Sequence, residues 1–176
     1  VKMFPLSKTL ARVPSAAYHI LAATAFFFLA CRLIESRWIS LLMAFVFSLL
    51  HWIFPVSRTC IGGYTALLFG TTCGIYFLLV YISEKTCKYA IFAGISWAFA
   101  FYSHHPGRPM SVIILTCFAI AFHKVLIKNI RHCLTFVLLL SILLMPMAIS
   151  VLQLPNALTS RFNAISVWQD NPGLFE

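Results

Sequence analysis

The sequence predicts an all-α fold, a polytopic membrane helix bundle with about six transmembrane helices. Three observations carry this reading. Hydrophobic residues make up 61% of the chain and charged residues only 10%, whereas soluble domains carry about 25% charged residues. The apolar residues gather into six runs, and no Lys, Arg, Asp or Glu lies inside any of them. The charges sit in the short polar breaks between runs, where a bilayer tolerates them.

The runs can be taken in order. The first, 16–31, follows Lys2, Lys8 and Arg12 and so has the outline of a secretory signal. Five further runs follow it and no convincing cleavage site is visible, so it reads as a retained helix. The second, 38–54, has Trp38 and Trp52 near its ends, as in the aromatic belts of membrane interfaces. The third, 64–83, by itself meets the roughly 20 residues that a spanning helix needs. It carries Gly70 and Gly74, small residues that let helix backbones approach closely. The fourth, 89–102, and the fifth, 110–122, reach spanning length only if their polar ends extend toward the interface. The sixth, 133–152, is long enough by itself. The expectation is a single transmembrane domain over 1–176, part of a longer membrane domain, with 153–176 as an external tail. A start at Val1 and a stop at Gly173-Leu174-Phe175-Glu176, just past an apolar-to-polar transition, read as a fragment.

A net charge of +9, from thirteen basic residues against Glu35, Glu84, Asp170 and Glu176, would suggest nucleic-acid binding in a soluble chain. Here the charges are dispersed among loops, so no nucleic-acid partner is expected and orientation is their better use. Alternate breaks hold Arg32, Arg37, Lys85, Lys88, Lys124, Lys128 and Arg131 on one side. The other side holds Arg58, Arg108 and Arg161, together with Lys2, Lys8 and Arg12. The positive-inside rule places the first set in the cytoplasm and the N-terminus outside. The six cysteines, at 31, 60, 73, 87, 117 and 133, form no CxxC pair and no metal-ligand spacing. No disulfide, metal or cofactor is expected from them.

The external breaks are where chemistry is expected. The richest is Phe101-Tyr102-Ser103-His104-His105-Pro106-Gly107-Arg108-Pro109. Pro106 and Pro109 each remove a backbone donor and bias the preceding residue away from helix, which builds in the break. Arg108 offers a rigid fork of donors suited to phosphate and keeps its charge wherever it is placed. Arg58 and Arg161 stand in the other two external breaks, and His51 and Trp52 border the second. Convergent lone arginines suggest an anion, and a lipid-linked phosphate at the membrane face is the natural one. Each arginine alone reads equally as an anchor snorkelling to headgroups. His104 and His105 are adjacent, so their side chains diverge and make a poor metal pair, although either one suits acid–base work or a phosphate contact. His123 and His132 read as ordinary loop histidines on the cytoplasmic side. No nucleophile motif, phosphate loop or paired carboxylates are present.

The order of these features resembles the polyprenyl-phosphate-dependent glycosyltransferases of the GT-C fold, in the bacterial branch similar to protein mannosyltransferases and aminoarabinose transferases. The likeness lies in Arg12-Val13-Pro14-Ser15-Ala16 opening a helix, Leu50-His51-Trp52 through Ser57-Arg58, and Ala93-Gly94 through Arg108. Arg161 followed by Ile165-Ser166-Val167 completes it. The resemblance implies a sugar moved from a polyprenyl-phosphate donor to a lipid, glycan or protein acceptor. The site would face the periplasm or exterior of a bacterial inner membrane. It implies Arg58, Arg108 and Arg161 at the donor phosphate, and Tyr102, His104 and His105 lining the sugar or phosphate pocket. The family's catalytic acid belongs to a loop upstream of Arg12, so no catalytic residue is assigned in this chain. His104 and His105 stand where many relatives have tyrosine or threonine. The competing class is a non-catalytic polytopic protein, a scaffold or transporter segment. Transporters place charge at the midplane, and this chain gathers its polar groups at one face.

Overall fold

The computed structural model of the chain describes residues 8–50, 62–104 and 107–153. Every regular element among them is a helix: α1 (Lys8–Leu33), α2 (Arg37–Leu49), α3 (Gly62–Glu84), α4 (Cys87–Ser103), α5 (Gly107–Ala121), α6 (His123–Lys128) and α7 (Ile130–Gln153). The all-α class expected from composition is the one observed. The chain divides into two compact units, Val1–Leu140 and Ser141–Glu176.

Within the first unit, α3 is the central helix and packs mainly against α1 and α4. Its contacts with α1 step in the same direction along both helices, from Ser15 at Thr65 through Tyr18 at Phe69 to Phe28 at Tyr76. The two helices therefore run parallel. α4 runs back along α3, with Ser103 beside Gly63, Ala100 beside Gly70, and Trp97 beside Gly74. The return is a two-residue turn at Lys85 and Thr86. Lys85 has φ of 54°, and its N–H donates to the Tyr81 carbonyl at 2.8 Å to close the end of α3.

What is buried and what is exposed identifies the solvent. The core is built largely from small residues, among them Ala22, Ala30, Ala66, Ala93 and Ala100, with the hydroxyls of Ser15, Ser40, Thr65 and Ser111 enclosed beside them. The exposed surface carries Leu, Ile and Phe, including Leu41, Leu42 and Phe45 on α2 and Val112, Ile113 and Ile120 on α5. In water the large apolar side chains would be inside. In lipid no hydrophobic force separates Leu from an acyl chain, so small residues take the interface and association rests on close packing. Gly70 and Gly74 serve this purpose: a Cβ on Gly74 would stand 2.7 Å from Nε1 of Trp97, which is fully buried.

Hydroxyls inside the runs bond to their own helices. Ser40, Thr71, Ser96 and Ser103 each donate to a carbonyl four residues back, at 3.1, 2.9, 2.8 and 2.6 Å. Such local satisfaction is what an apolar solvent requires. Arg12–Leu33, Gly63–Glu84 and Ile130–Gln153 have 22, 22 and 24 residues and the apolar character to cross a membrane. At 1.5 Å per residue each exceeds the roughly 30 Å of a hydrocarbon core. α2, α4 and α5 are shorter, at 13, 17 and 15 residues. The second run, read as 38–54, is helical to Leu49 with Leu50 as its cap, and 51–54 lie outside the described residues.

One difference from the sequence reading concerns the cytoplasmic histidines. His123 opens α6 and His132 lies in the first turn of α7, so neither is a loop residue. The breaks at Phe122 and Asn129 are single residues, too short to form loops. Cys31, Cys73, Cys87, Cys117 and Cys133 are free thiols, and Cys60 lies outside the described residues. In the second unit the described residues 141–153 are the later part of α7, where Ser150 Oγ donates to the Pro146 carbonyl at 2.9 Å. Leu152 there is 82% exposed.

Candidate functional site

The parallel α1–α3 pair and the antiparallel α3–α4 pair bring the start of α1, the start of α3, the end of α4 and the start of α5 to one end of the first unit. This is the end that the charge count assigns to the external side.

The approach of α4 to α3 is set by Gly63. A Cβ there would lie 2.5 Å from the Ser103 carbonyl oxygen and 3.7 Å from Nδ1 of His104. Without it the α4 terminus settles directly on the first turn of α3. His104 is the C-cap of α4, in extended backbone conformation, and its ring meets Tyr64 edge to face at 6.2 Å between centroids. Its carbonyl accepts the Gly107 N–H at 3.0 Å, which starts α5. Gly107 is buried against the side chain of Leu67, so the first residue of α5 meets α3 closely at this point. Pro109 falls within the first turn of α5, where a missing N–H leaves no intrahelical bond broken.

A cavity of about 280 Å³ opens beside this junction, lined by Tyr18, Gly63, Ala66, Phe99, Tyr102 and Ser103. Tyr102, at 49% exposed, forms part of its wall. Tyr18 stacks at a tilt on Phe99 at 5.7 Å and forms the opposite side. Between α1 and α3, Ser15 and Thr65 face each other at 3.4 Å, both buried.

Arg108 is the second residue of α5. Its Nε is buried and has no hydrogen-bond partner, and Ser111 Oγ, one turn on and fully buried, has none either. A desolvated guanidinium nitrogen without an acceptor is unfavourable by about 1–3 kcal/mol or more. Among the described residues no carboxylate stands at this end, because Glu35 follows α1 and Glu84 closes α3 at their far ends.

Of the residues expected at the site, Tyr102 and His104 stand together around Gly63 and Tyr64, and Arg108 follows at the start of α5. Arg58, Arg161 and His105 lie outside the described residues, as do His51 and Trp52. Tyr18, Tyr64 and Ser111 were not singled out from the sequence. Their signal is weak there, since none belongs to a recognisable motif, and only the register of α1, α3 and α5 brings them to this end. Among the described residues no group of three His, Cys, Asp or Glu side chains could hold a metal ion.

Fold and exterior together define an integral membrane protein of the all-α class, with three helices of spanning length among the described residues. Comparison with models of protein families, with curated proteins and with solved structures finds no match for the chain.

Proposed function

We propose that the chain forms the phosphate-holding half of a membrane glycosyltransferase of the GT-C type, which takes a sugar from a polyprenyl-phosphate donor. The observation that carries this reading is the buried, unpartnered Nε of Arg108 at the polar end of the first unit, where no described carboxylate competes for it. An anion with several acceptor oxygens answers that need, and arginine matches phosphate in geometry as well as charge. Tyr102 and His104 supply hydroxyl and imidazole groups beside the same junction, suited to the sugar or to a phosphate oxygen. Arg58 and Arg161 are the further cations that the sequence offers for the phosphate. The acceptor is a lipid, glycan or protein that reaches the same membrane face. In the bacterial inner membrane this face would be the periplasmic one, with the seven-charge set of loops in the cytoplasm.

In such a reaction an acceptor nucleophile attacks the sugar's anomeric carbon and gives its proton to a base that the described residues do not supply. The phosphate leaves with the electron pair of the broken bond, and negative charge grows on it. Cations held in a low-dielectric site stabilise that charge more than water does. Arg108 would do this work, with the helix start holding it in place.

A second reading keeps the site and drops the chemistry. The described part of this end holds no carboxylate to act as base, which suits a protein that binds a phosphate-bearing lipid without turning it over. One experiment separates the three outcomes. Binding of a polyprenyl-phosphate sugar, and sugar transfer from it, are measured in membranes containing the protein and its Arg108→Ala variant. A charge-assisted hydrogen bond of about 1.5–3 kcal/mol predicts a loss of binding of roughly 10- to 100-fold. Loss of both binding and transfer supports the transferase. Binding that depends on Arg108 without any transfer supports the second reading, and binding that ignores Arg108→Ala overturns both.

A further inference from the structure

A second, larger cavity of the first unit shares no lining residue with the one at the candidate site. It measures about 660 Å³ and runs between α3 and α4 on one side and α5, α6 and the start of α7 on the other. Along α4 it reaches from Ala90 to Phe101, and along α5 from Val112 to His123 just beyond its end. Eleven residues of helix correspond to about 16 Å. That is close to half of the roughly 30 Å hydrocarbon thickness, the depth of one leaflet. Leu115, Phe118, Phe136 and Leu140 give it apolar walls, while Tyr81, His123 and His132 are gathered at one end.

That end is the basic one. A smaller cavity of about 210 Å³, lined by Lys128, Asn129, Ile130, Arg131 and His132, adjoins it and shares His132 with it. The Nδ1 of His132 is buried and unpartnered, and its ring stands edge-on to Tyr81 at 6.0 Å. The sequence has no acidic residue from 85 to 169. No described carboxylate pairs with Lys128 or Arg131.

We propose that this groove is a binding site for one anionic membrane lipid, its hydrocarbon chains lying along α4 and α5 and its phosphate between Lys128, Arg131 and His132. Length, polarity and charge agree on this occupant. The apolar stretch is one leaflet deep, and the basic group stands at the end where a headgroup would emerge. Basic pockets between membrane helices take anionic headgroups in this way. The inference stands apart from the transferase reading, since it concerns the opposite end of the helices and none of the residues assigned there.

The test uses the whole chain, purified into detergent micelles and titrated with phosphatidylglycerol and phosphatidylcholine together, with retained lipid counted by native mass spectrometry. One phosphatidylglycerol per chain is expected, in preference to phosphatidylcholine. Substituting both cations, Lys128→Gln with Arg131→Gln, is expected to weaken retention about thirtyfold, the weight of two basic residues facing an anionic headgroup. Ala119→Trp and Val137→Trp fill the groove from two different walls and leave every charge in place. Both positions are exposed, so the helical circular dichroism is expected to persist while the lipid is lost. Equal retention of the two lipids would overturn the proposal. So would phosphatidylglycerol retention unchanged in both tryptophan variants, which would mean surface charge alone, and so would a lipid-free dimer with a second copy in the groove.

Discussion

At the scale of single residues, the glycines separate positions that admit a side chain from those that do not. Gly63 faces a backbone carbonyl at the end of α4, and a backbone cannot rotate out of the way. Gly63→Ala is therefore expected to push Ser103 and His104 off the start of α3, at about 1–3 kcal/mol, the usual penalty of overpacking. Gly94 is different, because its added Cβ would meet the flexible end of Leu139 at 3.2 Å. Gly94→Ala should change stability by less than about 1 kcal/mol, since a small shift of Leu139 accommodates the methyl. Thermal unfolding of both variants in one detergent checks the contrast. Equal midpoints would show that the α3–α4 contact at Gly63 is not tight. Legibility differs between residues in the same way. Gly70 and Gly74 stand out in the sequence as a small-residue pair, and their packing on Ala100 and Trp97 follows. Tyr64 and Ser111 gave no comparable signal, because a lone polar residue in an apolar run reveals its neighbour only when helix register is known.

Helix length and helix ends govern the next scale. The runs at 64–83 and 133–152 were legible because uninterrupted apolar length is a direct consequence of bilayer thickness. The stretch 123–132 was not. Its two histidines read as loop residues because charge marks breaks in a membrane sequence, yet the chain is helical on both sides of a single-residue interruption at Asn129. Asn129 Nδ2 donates to the Val125 carbonyl at 3.0 Å and satisfies that helix end locally. The α3–α4 turn gives an element-scale prediction. Lys85 holds a left-handed conformation that costs an L-residue about 1–2 kcal/mol and that Gly or Asn adopts readily. Lys85→Asn and Lys85→Gly should each raise the unfolding midpoint, with Gly losing part of its gain to backbone entropy. Lys85→Val should lower it, since a β-branched residue resists positive φ. If Val is tolerated as well as Asn, the turn is not held in this geometry.

For the molecule as a whole, the arrangement of charge is the property that decides how it sits in a membrane. Two ends can be defined on the first unit without reference to any lipid. One carries Tyr64, Tyr102, His104 and Arg108; the other carries Arg32, Arg37, Lys85, Lys88, Lys128 and Arg131. α4 separates them by 17 residues, about 25 Å of helix, most of a hydrocarbon core. If the exposed Leu, Ile and Phe of α2 and α5 face acyl chains, the two ends must open to opposite sides. The positive-inside rule then assigns the lysine-rich end to the cytoplasm. The prediction can be checked with the native cysteines replaced by serine and single cysteines introduced as Tyr102→Cys or Arg131→Cys. In right-side-out vesicles a membrane-impermeant maleimide should label position 102 at once and position 131 only after the membrane is permeabilised. Labelling of both before permeabilisation would mean that the first unit does not span, and the reverse order would invert the topology. Inversion would also move the candidate site to the cytoplasmic face, where a transferase of the proposed kind could not meet an external acceptor, so this measurement bears on function as directly as on topology.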